Sequence, residues 1–284
     1  MKIETAQAFF ELNKYKETID ACNKILVTDN KSIEALRLIG KSFLATKRID
    51  DSRLYFNKAL NIKPDDIEVI KNIGNTYQAV GDIDNAKKYY QKAIAINSSY
   101  APALTNLGSI ELKIGNKKEA LYLLIKATES EPRFVTAWVN LANGYIQLKK
   151  VQEAEACCRK AIELNPNLVN SHFILSNILI GQTKLKEAEE PLRKAIELKP
   201  DFFQAHLNLG TILSNLGKLK EAELFTRKAI ELNPNFADSY YNLGNILKDI
   251  GRLKQAKKAY QKSLEIEPKE IHRISNLIHT LSRL

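Results

Sequence analysis

The sequence predicts an all-α protein built from stacked helix pairs, and three observations predict it. The phrase RKAIELNPN stands at Arg159–Asn167 and again at Arg227–Asn235, with the near copy RKAIELKPD at Arg193–Asp201, 34 residues from each. Displacing the chain by the same interval aligns NKALNIKPD (57–65), QKAIAINSS (91–99), IKATESEPR (125–133) and QKSLEIEPK (261–269). Inside every period apolar and small residues recur at helical spacing, with glycine and proline as punctuation.

Counting from Ile33, seven full units run without insertion: 33–66, 67–100, 101–134, 135–168, 169–202, 203–236 and 237–270. Residues 1–32 form a degenerate unit whose second half is YKETIDACNKIL (15–26), and 271–284 supply one further first half. The whole of 1–284 therefore reads as a single solenoid domain. Each unit holds two helices. In the last, Tyr240, Leu243, Gly244 and Leu247 share one face, and Leu253, Ala256, Tyr260, Ser263 and Leu264 share another. Gly251 closes the first helix, as do Gly81, Gly115 and Gly217, each as the residue just beyond the helix end. Pro64, Pro132, Pro166, Pro200, Pro234 and Pro268 end the second, because the residue before proline disfavours the α region.

Small residues carry the expected packing. The eighth place of the units holds Gly40, Gly74, Gly108, Ala142, Ser176, Gly210 and Gly244. Glycine inside a helix costs about 1 kcal/mol relative to alanine, so a compensating close approach is expected. The twentieth place, with Ser52, Ala86, Ala120, Ala154, Ala188, Ala222 and Ala256, is expected to face it. A single unit cannot bury its apolar faces, whereas stacked neighbours can. In the last half-unit Ile278 occupies the eighth place. Residues 271–284 are therefore expected to cap the stack, with Ile271, Ile274, Leu277, Ile278 and Leu281 turned inward.

Composition excludes several classes. Cys22, Cys157 and Cys158 form neither a disulfide framework nor a zinc spacing. His172 and His206 occupy a packing place, and His272 and His279 bring no carboxylate partner by spacing. A glycine-rich phosphate loop, HExxH and CxxC are all missing. No catalytic residues, metal or cofactor are expected, and the chain reads as no enzyme. The opening MKIETAQAFFELNK has no apolar core of a leader, and no run of 18 apolar residues follows, so a cytoplasmic location is expected.

The fourth place carries Trp138, His172, His206 and Tyr240, followed by Leu-Gly, alanine at the twentieth place and proline at the thirty-second. Over essentially the whole chain this pattern resembles the tetratricopeptide repeat. The wording NLG…EAE…RKAIELNPNF is most similar to the repeats of O-linked N-acetylglucosamine transferases. Ser52 and Ser98 depart from the pattern, where alanine and proline are usual. The resemblance implies a right-handed α-α superhelix of about eight helix-turn-helix units plus a capping helix. It also implies a concave groove lined by the first helices, at the second, fifth, sixth, ninth, twelfth and thirteenth places.

Asparagine dominates two of those places. The sixth holds Asn72, Asn106, Asn140, Asn208, Asn242 and Asn276, interrupted by Ile174, and the ninth holds Asn75, Asn143, Asn177 and Asn245. Asparagine offers one acceptor and two donors, suited to the backbone of an extended peptide. The fifth place adds an apolar series, Val139, Phe173, Leu207 and Tyr241, implying pockets for ligand side chains or contact with a second copy. The 43 Lys and Arg exceed the 33 Asp and Glu. Groove places hold only Arg37, Lys41, Lys71, Lys113, Lys248 and Arg283 of that excess, against Glu34, Glu68, Asp238 and Asp249. The remainder falls on second helices and linkers such as KLKEAE and NAKKYYQK, which argues against nucleic acid. A clamp for chaperone tails would need two more cations where Thr136 and Asn140 stand beyond Lys71, Asn75 and Asn106. The expected function is a non-enzymatic scaffold binding an extended peptide or partner segment. The alternatives are the substrate-recognition arm of a larger enzyme such as a glycosyltransferase, and a structural homo-oligomer.

Overall fold

A computed structural model describes residues 2–268 and 270–282. Met1, Lys269, Arg283 and Leu284 lie outside the described residues, as do the side chains of Ile271, His272, Arg273 and Leu281. The chain divides into two compact units, Met1–Leu148 and Lys149–Leu284. Among the described residues the first carries α1 (Ile3–Glu11), α2 (Tyr15–Thr28), α3 (Ile33–Ala45), α4 (Ile49–Ile62), α5 (Ile67–Ala79), α6 (Ile83–Ile96), α7 (Ala101–Lys113), α8 (Lys117–Ser130) and α9 (Val135–Gln147). The second carries α10 (Val151–Leu164), α11 (Val169–Gly181), α12 (Leu185–Leu198), α13 (Phe203–Asn215), α14 (Leu219–Leu232), α15 (Ala237–Asp249), α16 (Leu253–Ile266) and α17 (Ile271–Leu281). From α3 to α16, first helices of 13 residues alternate with second helices of 14, at the predicted period.

Helix ends obey local chemistry. From α1 to α15, the residue after each first helix's cap is left-handed: Gly81, Gly115, Gly217 and Gly251 have φ between 77° and 91°, as predicted. Asn13, Lys47, Lys149 and Thr183 adopt φ of 58–61° at the equivalent place without being glycine. The turn is closed by paired backbone bonds, for example Gly81 N to Gln78 O at 3.1 Å and Asp82 N to Tyr77 O at 3.0 Å. Second helices stop two residues before proline, the intervening residue being extended, as at Lys63 (φ −135°, ψ 93°). Ser98 leaves this stop intact, because Asn97 is extended without a following proline and its side chain accepts from Ser99 N at 2.9 Å.

The core consists of columns of small residues. The twentieth-place residues Ser52, Ala86, Ala120, Ala154, Ala188, Ala222 and Ala256 are all fully buried. So are Ala161, Ala195 and Ala229, the alanines of the recurring phrase. Two buried serines turn to backbone, Ser52 Oγ donating to Gly40 O at 2.7 Å and Ser263 Oγ to Ala237 O at 2.9 Å.

The eighth-place glycines answer to a different residue from the one expected. A methyl at Gly40, Gly74 or Gly244 would lie 2.5–2.6 Å from the ring of Phe56, Tyr90 or Tyr260, at the twenty-fourth place. At Gly108 the obstacle is Leu124, and at Gly210 it is Thr226 Oγ1. The twentieth place comes next, through the carbonyls of Ala120 at 3.3 Å and Ala222 at 3.2 Å. The missing Cβ thus makes room for a large side chain rather than pairing small with small.

The capping helix also differs from expectation. Leu277 packs against the cluster formed by Leu243, Leu247, Ala256, Ala259 and Tyr260. Ile274 and Ile278, expected inward, are 39% and 60% exposed. The reason is geometric: in the earlier units the eighth place is covered by the second helix of its own pair, and α17 is the last described helix.

Candidate functional site

The first helices bring the predicted asparagines into contact with one another. In the first unit Asn106 Nδ2 on α7 donates to Asn75 Oδ1 on α5 at 2.8 Å. In the second, Asn208 Nδ2 donates to Asn177 Oδ1 at 2.8 Å, Asn242 Nδ2 to Thr211 Oγ1 at 2.9 Å, and Asn276 Nδ2 to Asn245 Oδ1 at 3.1 Å. Every such rung runs from a sixth place back to the ninth place of the preceding pair. The second helices reinforce two rungs. Tyr90 reaches between α5 and α6 to donate to Asn75 Oδ1 at 2.7 Å, and Tyr260 donates to Asn245 Oδ1 at 2.7 Å. Burial holds both phenols well above their ordinary range, so these donors keep their protons.

A rung satisfies half of each amide. The sixth-place Oδ1 is left over in each, and the ninth-place Nδ2 wherever that place is asparagine rather than Thr211, so the face offers acceptors with interspersed donors at the repeat spacing. Asn140 stands apart, its Nδ2 donating to Thr136 O on its own helix at 3.1 Å. Asn143 is half-buried beside it, and Asn177 is the exposed member of the set. Asn72 differs most, at 2% exposure where an exposed place is expected.

The fifth-place residues are packed more deeply than a free apolar stripe. Leu207 is buried at 8% exposure. Phe173 leans on Phe202, ring centroids 4.6 Å apart, and Tyr241 on Tyr260 at 5.9 Å. Tyr241 also accepts from Asn276 Nδ2 at 2.7 Å. Val139 is half-buried on α9. Between α13 and α15 a cleft of roughly 260 Å³ opens, lined by Thr211, Ser214, Asn215, Asn242, Asn245 and Lys248 among others.

The α3–α5 end of the same face is charged. Glu68 binds Arg37 Nη1 at 2.7 Å and Lys41 Nζ at 2.9 Å, and Lys71 Nζ donates to Asn72 Oδ1 at 2.7 Å. Burial, with Lys41 and Arg37 nearby and only partly opposed by Glu68, pulls the Lys71 amine down to about 8. For Glu68, burial pushes its carboxyl up, but the Lys41 bond and the neighbouring cations prevail and hold it low.

Other sequence candidates have structural roles. His172 and His206 are buried and bond the carbonyls of Pro166 and Pro200 at 2.7 and 2.9 Å, as Trp138 Nε1 bonds Pro132 O at 2.9 Å. The fourth place therefore staples a first helix to the turn before it. Burial pushes the Cys157 and Cys158 thiols up to about 11 and about 12, away from the reactive thiolate. On the second helices Glu155, Glu189 and Glu223 each bind an arginine four residues on, Arg159, Arg193 or Arg227. They also bind a cation of the following pair, Lys184, Lys218 or Arg252, at 2.8–3.6 Å. Neither this network nor the rungs was anticipated, although the 31-residue offset of sixth from preceding ninth places was open to inspection. Among the described residues no cluster of His, Cys, Asp and Glu could hold a metal, and no helix is long and apolar enough to cross a membrane.

Comparison with known proteins places the chain in context. The family profile described as Cilia and flagella-associated protein 70 C-terminal domain matches residues 66–276, and the Tetratricopeptide repeat profile matches 33–66. No curated protein matches. Among solved structures, YrrB, described as a TPR protein with an unusual peptide-binding site, is 25% identical with a TM-score of 0.60, covering 66% of this chain and 96% of its own. The Cut9–Hcn1 hetero-tetramer of the APC/C matches 98% of this chain at 18% identity and a TM-score of 0.69, and this chain spans 55% of the matched one. PilF of Pseudomonas aeruginosa matches 72% of this chain and 93% of its own, at 19% identity and a TM-score of 0.66.

Proposed function

Because the chain belongs to the tetratricopeptide-repeat family of the Cilia and flagella-associated protein 70 C-terminal domain, we propose that it is a non-enzymatic scaffold whose first helices hold an extended segment of a partner protein. The observation that carries this reading is the set of rungs along α11, α13, α15 and α17. Each leaves an unused amide oxygen, and those ending on Asn177 and Asn245 also an unused amide N–H, at a spacing fixed by the repeat, next to Phe173, Leu207 and Tyr241. Backbone is the ligand such a row suits, since every peptide unit presents one donor and one acceptor. The likeness to YrrB, whose description names a peptide-binding site, supports the same reading. The finer likeness to O-linked N-acetylglucosamine transferase repeats belongs to it as well, through the sixth- and ninth-place asparagines.

A displayed library of random peptides tests it. Asn208→Ala with Asn242→Ala is expected to weaken all selected peptides to a similar degree, by about 0.5–1.5 kcal/mol for each amide lost. Phe173→Ala or Tyr241→Ala is expected to reorder preferences among peptides. Charge reversal at Lys218 and Lys220 on the second helices is expected to leave binding alone. Binding that survives the asparagine pair and collapses with the lysines overturns the proposal.

A further inference from the structure

The rung between α3 and α5 is missing, and what replaces it is a cluster of donors. In the four rungs a sixth-place Nδ2 finds a ninth-place oxygen, but ahead of Asn72 the ninth place is Lys41, which has no acceptor to offer. Lys41 turns instead to Glu68 at 2.9 Å. Asn72 Nδ2 is left buried without a partner, in a residue 2% exposed, and Arg37 Nε is likewise buried and unpartnered. Lys71 is a half-buried cation with no carboxylate within ion-pair distance among the described residues, bonded to the Asn72 oxygen alone.

The local ledger is one-sided. The cations are Arg37, Lys41 and Lys71. The acids are Glu68, already bound twice, and Glu34, which pairs with Gln7 and lies 3.8 Å from Arg37. From α7 the neighbouring fifth- and sixth-place residues, Thr105 and Asn106, bring no charge. Buried donors and a buried cation are costly unless an acceptor satisfies them. On the premise that this face binds a partner segment, we infer that α3 and α5 form a receptor for a carboxylate on that segment, held by Lys71 and Arg37 with the Asn72 amide as a neutral donor. On binding, Lys71 Nζ leaves Asn72 Oδ1, to which it now donates, and turns to the carboxylate. This receptor runs from Lys71 back to Arg37, whereas a chaperone-tail clamp would run forward to residues 136 and 140.

The experiment uses the full chain with lysines dimethylated by ¹³C-formaldehyde and read by NMR, the Lys71 signal being assigned by Lys71→Arg. N-acetyl-glutamate amide is the probe, N-acetyl-glutamine amide its neutral control, and N-acetyl-glycine carries a chain-terminal carboxylate. The glutamate probe is expected to shift the Lys71 signal saturably and to raise its pKa by about one unit, while Lys113 and Lys248 stay put. Asn72→Asp, nearly isosteric, is expected to raise that pKa without any probe and to abolish the response. Arg37→Gln is expected to weaken the response. A response to N-acetyl-glycine alone identifies a chain terminus as the source of the carboxylate, and a response to the glutamate probe alone identifies a side chain. Equal responses to the glutamate and glutamine probes, no response to either carboxylate, or a response that survives Asn72→Asp overturns the inference. No partner peptide is involved, so this result and that of the library selection stand or fall separately.

Discussion

At the scale of single residues, the informative feature is backbone conformation at one recurrent place. Thr183 has φ 61° where Gly217 and Gly251 have 77° and 88°. A β-branched residue there is strained, since left-handed backbone costs an L-residue about 1–2 kcal/mol, and glycine's extra unfolded-state entropy recovers only part of the difference. Thr183→Gly is therefore expected to raise stability by about 0.5–1 kcal/mol, and Gly217→Thr to lower it by a similar amount, both read from urea midpoints. If both lose stability, something beyond the turn holds Thr183. Lys71 supplies a second residue-scale prediction. Its folded-state pKa of about 8 lies below that of a free lysine, so between these values the unfolded chain binds more protons. Stability gains from this group as pH rises from 8 toward 10, and its protonated form weighs on the fold below 8. Lys71→Met is expected to be most stabilising near pH 7 and to flatten the rise between pH 8 and 10. A slope unchanged by the substitution would place that titration elsewhere.

At the scale of elements, the eighth place decides how near two helices sit. Gly210→Leu drives a side chain into Thr226 and the Ala222 carbonyl on α14, at a typical overpacking cost of about 1–3 kcal/mol. Ile278→Leu, on a helix with that face 60% exposed, is expected to cost well under about 1.5 kcal/mol. Equal losses in thermal unfolding would mean that α17 bears a packing load its exposure does not reveal. Glu111 joins the elements of the first unit: it is 4% exposed and binds Lys87 on α6 at 2.7 Å and Asn116 at 2.7 Å. Burial pushes its carboxyl up, yet the Lys87 and Asn116 bonds win and hold it below the ordinary range. Its contribution is present at neutral pH and is lost as pH falls through the lowered value. Glu111→Gln is expected to destabilise at pH 7 and to converge with the unaltered protein under acid conditions. A constant difference between pH 7 and pH 3 would show that the charge is irrelevant.

For the whole molecule, stability is a sum over pairs and the interfaces between neighbours. The first pair fills the repeat's packing columns with Ala6, Thr18, Cys22 and Ile25, but α1 has only 9 residues and the pair stands at the end of the described stack. Unfolding is accordingly expected to depart from a single two-state transition, with residues 3–28 exchanging amide hydrogens sooner than residues 169–266. Uniform protection along the chain would overturn this.

The sequence by itself determined the periodic part: the helix pairs, their limits, the small-residue columns and the left-handed turns at Gly81, Gly115, Gly217 and Gly251. These follow from neighbours a few residues apart, where helix geometry and the φ limits of glycine and proline leave little choice. Ser98 marks the edge of that legibility, because the helix before it ends on the same place without proline. Contacts between residues 12 to 31 positions apart were decided only by the tertiary structure. It set Tyr90 rather than Ala86 over Gly74 and joined Asn106 to Asn75. It also turned Ile278 outward and left Asn72 without an acceptor across from Lys41. A place in a repeat fixes which way a side chain points, but what it meets depends on the residue that the next pair happens to bring, and that is settled by packing.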